Sequence, residues 1–312
     1  MGNKLVTMAS QNKQPLIFFG AGEISLAALK TASKLFVIEA VFTKPDTEHR
    51  GKTSQTPVKQ WADTQDIPTF QPANAKELEN MLYSSNFSSA MGFLVDNGVI
   101  ISQRSIDFFD KGIVNSHFSL LPRLRGADPI TAAILQGLDT TGVTLMQLAA
   151  GLDTGPIIAQ RELHGISKFT IHELDDALMK LNDAMINDFL ISYYNGEITP
   201  QNQDESQATM THRLQKSDGE ITLDKSASQV EREVRAYLSW PGSFFEWKGR
   251  RVIIKQAQIS QEHAEPLELK RVGNTIVLGC HNGSIEILRL QLAGKKEMTA
   301  IDFINGHSQE LQ

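Results

Sequence analysis

The sequence predicts an α/β protein, with an open, mostly parallel sheet covered by helices on both faces and a smaller β-rich barrel after it. Three observations carry that expectation. Short apolar runs alternate with helical patterns from Leu16 to about residue 193, and parallel strands need such crossovers to return in register. A polar stretch without apolar period, GEITPQNQDESQATMTH at 196–212, then breaks the pattern. Beyond it the strand-like segments are short and bounded by turn signals. The chain length of 312 residues agrees with two domains, expected at 14–196 and 213–312 with a linker at 197–212.

Taken in order, Leu16 to Gly20 (LIFFG) reads as a strand ending in glycine, and Ser25 to Leu35 carries leucines in a helical pattern. Phe36 to Lys44 is a second strand. The polar PDTEHRGKTSQT after it, with Pro45-Asp46 and Gly51, reads as a long loop. Pro57 opens a helix to about Thr64, Thr69 begins a brief strand, Ala75 to Ser84 is helical, and Ala90 to Val95 is an apolar strand. GIVNSHF, a helix near Asp128 to Gln136, and TGVTLMQLAA continue the alternation. Leu174, Leu178, Leu181, Met185 and Phe189 then mark one face of a helix over 171–193, with Thr170 and Glu173 in its capping turn. After the linker come a helix at Gln229 to Tyr237 and the strands GSFFEW, RRVIIKQAQI, NTIVLGC and SIEILRLQL, with turns at Lys248-Gly249 and Asn282-Gly283.

Composition narrows the function classes. An apolar fraction of 41% with 21% charged residues belongs to a folded globular chain. The single cysteine, Cys280, excludes a disulfide scaffold and a multi-thiolate metal site, and makes a reducing cytoplasm the expected location. The net charge of −6 argues against a uniformly basic nucleic-acid binder, but from position 208 on there are 14 Lys and Arg against 13 Asp and Glu, so the C-terminal third is the less acidic part. No apolar run approaches the roughly 20 residues of a membrane span. The opening MGNKLV carries Val6 where a myristoylation motif wants Ser or Thr, and no continuous apolar secretory core follows.

The most informative stretch is Ile113 to Ile130, IVNSHFSLLPRLRGADPI, joined by GLDTG at 151–155. Asn115 and His117 are two apart on an expected strand, so both side chains share a face. Pro122 and the basic run Arg123 to Gly126 end that strand in a loop, and open α/β sheets place their ligand crevice beyond the carboxyl ends of strands. Asp153, in a second glycine-flanked turn, can hold the imidazole and relay a proton. Together these groups suit a reaction that develops negative charge on a carbonyl oxygen. Taken singly they are weaker: a histidine on an apolar strand is more often a packed core residue, and aspartate between glycines often only tightens a turn. Gly20 to Ser25, GAGEIS, superficially matches a dinucleotide fingerprint but ends in serine, and reads as a tight strand-to-helix turn. Cys280 reads as packing. The other histidines lack ligand spacing, so no metal is expected.

NSHFSLLPRLRGADPI followed by GVTLMQLAAGLDTG resembles the signature of the folate-dependent formyltransferases. The similarity runs on through VFTKPD, RGK, PVKQWA, IPTFQP, TIHELDDALMKL and QVEREVRAYLSWPGSFFEWKG, and so covers nearly the whole chain in order. Family members that act on glycinamide ribonucleotide share the Asn, His and Asp constellation but are similar only in the N-terminal domain. The matching C-terminal third therefore favours the branch that acts on aminoacyl-tRNA.

The resemblance implies a Rossmann-like open sheet of the formyltransferase fold with a C-terminal OB-type barrel. It implies transfer of a formyl group from 10-formyltetrahydrofolate to the α-amine of methionine on initiator tRNA, without a metal. Asn115 and His117 would bind the oxygen of the tetrahedral intermediate, and Asp153 would orient His117 and assist proton transfer. Ser119, Leu120, Leu121, Pro122, Gly98, Gly151 and Gly155 would line the folate and substrate site. Arg50 and Lys52, in the loop matching PDTEHRGK, and Lys248, Arg250, Arg251 and Lys255 on the barrel are the candidate tRNA contacts. For the barrel cluster alone, the exposed side of a hairpin is a reading at least as good as RNA contact. A sugar nucleotide or other small amine is the alternative acceptor, and a non-catalytic RNA- or folate-binding relative the alternative class. Departures from the family pattern sit near the expected folate pocket: Gly20-Ala21-Gly22 replaces a Gly-Thr-Pro turn, and Asn97 replaces an aromatic before Gly98. Asp128 stands where a small apolar residue is common, and the loop at 45–52 is shortened.

Overall fold

The computed structural model describes residues 13–49, 52–96 and 98–311. They form two compact units, one running through Arg125 with Gly142–Leu163 and Asp176–Met210, the other comprising Gly126–Thr141, His164–Asp175 and the chain from Thr211 on.

The first unit is built around β1 (Pro15–Gly20), whose five residues from Leu16 are all buried. It is followed by α1 (Glu23–Leu35) and β2 (Val37–Phe42). The stretch expected as a loop instead contains a short antiparallel hairpin, β3 (Thr47–His49) with β4 (Lys52–Ser54). Threonines at 47 and 53 supply β-branched residues there, too few to register as a periodic signal. α2 (Pro57–Thr64) starts where proline fits the first turn, and the Thr56 hydroxyl accepts from the Lys59 N–H at 3.2 Å. Next come β5 (Thr69–Phe70), α3 (Ala75–Ser84) capped by the Asn74 side chain, β6 (Gly92–Val95), α4 (Gln103–Ile106), β7 (Ile113–His117) and β8 (Arg125–Gly126). After α5 (Pro129–Leu135) follow β9 (Thr140–Gln147), β10 (Ile157–His164) and α6 (Ile171–Tyr194).

The sheet runs β10-β9-β7-β6-β1-β2-β5. The five strands from β7 to β5 are parallel and β9 is antiparallel to β7, so the mostly parallel sheet expected from the alternation is present. The chain winds outward from β1 to β2 and β5, then returns to β6 on the other side of β1. This places a topological switch point at the carboxyl ends of β1 and β6, beside β7. Phe19, Phe42 and Phe70 stack in succession, with centroids 5.2 and 5.0 Å apart, inside a core completed by Leu78, Leu82 and Ile113. β10 escaped the sequence reading because it lies at the sheet edge and buries only Ile158, leaving no apolar run to see.

In the second unit, α5 packs against α7 (Ala227–Ala236), which opens with a Ser226–Gln229 capping box, after the short β11 (Met210–Thr211). Its sheet runs β12 (Ser243–Trp247), β13 (Arg250–Ser260), β16 (Ser284–Leu292), β15 (Thr275–Gly279), β14 (Leu269–Val272), with β17 (Met298–Thr299) also on β16. Every pairing in it is antiparallel, and α8 (Ala300–His307) covers it through Phe303 and Ile304. The β12–β13 turn has both Lys248 and Gly249 at positive φ, as a two-residue hairpin turn requires. This half-barrel carries the OB-type expectation.

Candidate active site

Asn115 and His117 lie on β7, each 6% exposed. Strand alternation sends Ser116, between them, to the opposite face, where its hydroxyl donates to Asn182 Oδ1 of α6 at 2.8 Å. That bond to a helix anchors the strand's orientation, and leaves Asn115 and His117 together on the other face.

The His117 ring sits between two acceptors. Its Nε2 is 2.9 Å from the carbonyl oxygen of Leu124, and its Nδ1 is 3.6 Å from Asp153 Oδ2. With oxygen acceptors on both sides, a doubly protonated ring satisfies the arrangement. The carboxylate distance is an ion-pair separation, longer than a direct hydrogen bond. Sequence reasoning anticipated Asp153 but not the Leu124 carbonyl.

The loop that brings Leu124 there is held from many sides. Leu121–Pro122 is a cis peptide, and Leu124 adopts φ 58°, a left-handed conformation that a branched residue keeps only under outside support. The Ser119 hydroxyl donates to Arg123 O at 2.6 Å, the Thr144 hydroxyl donates to Ser119 O at 2.6 Å, and the Gln160 amide donates to Leu121 O at 2.7 Å. The Leu124 N–H donates to the Thr209 hydroxyl at 2.9 Å, and the Arg125 N–H to Thr209 O at 2.8 Å. Arg125 itself is buried, donating to Gln203 Oε1 from Nε and Nη2 and to Glu205 from Nη1 and Nη2. The guanidinium holds the Glu205 carboxyl below the usual carboxylate range, and Glu205 in turn raises the guanidinium's already high proton affinity.

Of the residues expected to line a folate site, Ser119 and Leu121 are buried and committed to the loop's own architecture, whereas Leu120 and Pro122 keep some accessible surface. A Cβ on Gly155 would overlap the Gln147 carbonyl, so its glycine is required by close backbone approach to β9. A Cβ on Gly151 would crowd the Thr154 side chain, and one on Gly98 the side chain of Lys44. Two apolar side chains are exposed in these loops, Ile100 after β6 at 81% and Leu152 beside Asp153 at 61%. Asp128 is the left-handed N-cap residue of α5 and accepts from the Leu214 N–H at 3.1 Å.

Arg50 and Asn97 lie outside the described residues, as does the side chain of Lys52, whose backbone begins β4. The barrel cations do not make one face. Along β13, Val252 and Ile254 are buried with the core, so Arg250 shares their side and Arg251 takes the other, while Lys255 falls in the register irregularity between Ile254 and Gln256. Lys248 Nζ donates to Glu310 O at 2.7 Å, and Arg250 pairs with the Glu310 carboxylate while stacking on Trp247 at 4.7 Å. Arg251 lies over Phe244 at 3.9 Å and 3.5 Å from Glu246. Among the described residues no group of three or more His, Cys, Asp or Glu is placed to hold a metal ion, and no helix is long and apolar enough to cross a membrane.

A formyl transferase family model matches residues 17–190, and a formyl transferase C-terminal domain model matches residues 213–308. The methionyl-tRNA formyltransferase of Koribacter versatilis is 34% identical over 297 residues, covering 94% of this chain and 95% of the relative. That of Myxococcus xanthus is 32% identical over 295 residues, covering 94% and 95%. Among solved structures, an N-formyltransferase from Helicobacter canadensis, crystallised with folinic acid and dTDP-3-aminofucose, superposes with a TM-score of 0.67 at 16% identity, over 92% of this chain and 100% of that one. The methionyl-tRNA formyltransferase from Clostridium thermocellum gives 0.53 at 18% identity, over 80% and 95%. At those identities the structural likeness is one of fold.

Proposed function

The chain belongs to the methionyl-tRNA formyltransferase family, and on that premise we propose that it transfers the formyl group of 10-formyltetrahydrofolate to the α-amine of methionyl initiator tRNA through Asn115, His117 and Asp153. The observation that supports this reading is the buried imidazole with an acceptor on each side, two residues along the strand from a buried amide.

The amine nitrogen attacks the formyl carbon, and the carbonyl oxygen becomes an oxyanion. The Asn115 amide and a ring N–H of His117 donate to it; for His117 this means sharing a proton that in the free protein faces the Leu124 carbonyl or Asp153. Asp153, beyond direct bonding range of Nδ1, accepts the proton lost by the amine and holds the ring's charge. Collapse breaks the bond from the formyl carbon to N10, that nitrogen takes the proton, and tetrahydrofolate leaves. Removal of water strengthens each of these contacts, and the burial of both donors supplies it.

The accessible parts of Leu120 and Pro122, with exposed Ile100 and Leu152, fit a flat, largely apolar folate ring system. On this reading Gly98, Gly151 and Gly155 shape the surrounding loops. Residues 14–196 carry the transfer chemistry and 213–312 the RNA face, for which Arg251 and Lys255 are the better placed cations, with Arg50 and Lys52 at the acceptor end. The site of action is the cytoplasm, where charged initiator tRNA is used.

The test is transfer of labelled formyl to charged initiator methionyl-tRNA, with elongator methionyl-tRNA and free methionine as controls. Selective product on the initiator is expected. Product on a sugar amine but not on tRNA, or none despite folate binding, would overturn the acceptor or the reaction.

A further inference from the structure

The two acceptors that grip His117 come from different loops, one following β7 and the other following β9, so something must fix the spacing between them. Gln203 spans the gap. Its side-chain Nε2 donates to Asp153 O at 2.8 Å and to Gly155 O at 2.7 Å, and its Oε1 accepts from Arg125 Nε at 3.1 Å and Nη2 at 2.7 Å. Both donors and both lone pairs of the amide are used. The reversed amide would set NH2 against a guanidinium and oxygen against two carbonyls, so the network admits one orientation.

The backbone at both acceptors is left-handed, φ 58° at Leu124 and 52° at Asp153, and such residues persist when their surroundings over-determine them. The segment 203–209 contributes to that at each: Gln203 at the Asp153 carbonyl, and the Thr209 hydroxyl at the Leu124 N–H.

We propose that Gln203 is a positioning residue for the transfer reaction, setting the distance between the Leu124 carbonyl and the Asp153 carboxylate and thereby the orientation of the His117 ring. The proposal rests on the formyl-transfer reading of this site. Gln203 acts through the two loops, by its bonds to Asp153 O, Gly155 O and Arg125.

Gln203→Glu separates positioning from simple neutralisation of Arg125. It keeps the acceptor for the guanidinium but turns the donor end into an oxygen facing two carbonyl oxygens. Gln203→Ala removes both ends, and Gln201→Ala is the control, since that side chain's bond is to the carbonyl of Thr199. In the full chain, Gln203→Glu and Gln203→Ala are each expected to lower kcat about 10- to 100-fold, as small misplacements of catalytic groups do, with KM for both substrates nearly unchanged. The ¹⁵N resonances of the His117 ring are expected to move in both variants and to stay in Gln201→Ala. Wild-type kcat and ring resonances in Gln203→Glu would overturn the proposal. If Gln203→Ala does not fold, the isosteric Gln203→Glu decides alone, and its failure to fold would overturn positioning in favour of a role in folding. The ring resonances are read without turnover, so a wild-type protein that fails to formylate methionyl-tRNA would refute the acceptor, while the spectra of the variants would still decide what Gln203 does to the ring.

Discussion

In the first unit Asn115, His117, Arg125 and Asn182 are all buried, whereas the buried polar side chains of the second, Thr131, Thr141, Ser243 and Ser284, are hydroxyls alone among the described residues. On the proposed function, the difference matches what each unit would have to do. Stabilising an oxyanion requires donors already desolvated and held by other bonds, because a donor that must shed water during the reaction gives much of its strength back. Contact with a polyanion requires cations that still face water, and an apolar core beneath them that needs no polar help. The first unit therefore carries groups whose burial is tolerated only while every bond in the network is made. The second draws stability from apolar packing around Ile276, Ile287 and Phe303.

Breaking each core separately tests that contrast. His117→Ala should lower turnover by about 10²- to 10³-fold, the usual loss for one oxyanion donor, with a smaller loss of stability as the Leu124 carbonyl and the Asp153 carboxylate lose a buried partner; steady-state kinetics and a denaturant melt together decide it. Ile287→Ala, at a position with no exposed surface, should do the reverse, losing about 2–5 kcal/mol of stability in a denaturant titration while the transfer chemistry of the folded fraction persists. Joint replacement of Arg251 and Lys255 by serine should leave folding intact and reduce the salt slope of tRNA binding by roughly one for each phosphate that is no longer neutralised; an unchanged slope returns both to an ordinary hydrated surface.

The smallest effect concerns Cys280, which burial, aided by the nearby Glu233 charge, pushes up to about 11 from 9.0. The folded state thus favours the neutral thiol. Its contribution to stability is present below the ordinary thiol value and is lost as pH rises from there through about 11. With the thiol also buried, a thiol reagent at pH 8 should react only through opening of the second unit, and fast labelling of native protein would show its core to be less closed than its apolar lining implies.

The strand carrying Asn115 and His117 and its loop were legible in the sequence because their information is local: residues two apart share a face, and a proline and glycine follow. The barrel strands showed themselves through turn chemistry at Lys248-Gly249 and Asn282-Gly283. The alternation of β13 was also available, and it already separates Arg250 from Arg251. Gln203, Glu205 and Thr209 were hidden. Their work is done by side-chain amide, carboxylate and hydroxyl bonds to loops 48 to 85 positions away, and a stretch of polar residues without period carries no trace of such partners. Edge strand β10, with one buried residue, was illegible for the opposite reason, having too little burial to leave a pattern.

The segment from Gln203 to Thr209 falls in the gap between the two family models, which end at 190 and resume at 213. That gap invites treatment as a neutral splice point. A chimera joined near Gly196 would import a foreign strap onto native loops, mismatching partners that must agree residue by residue. A junction after Met210 would keep each loop with its own brace. For this architecture the unit of inheritance, and of domain shuffling in the laboratory, is longer than the recognisable domain by the length of that strap.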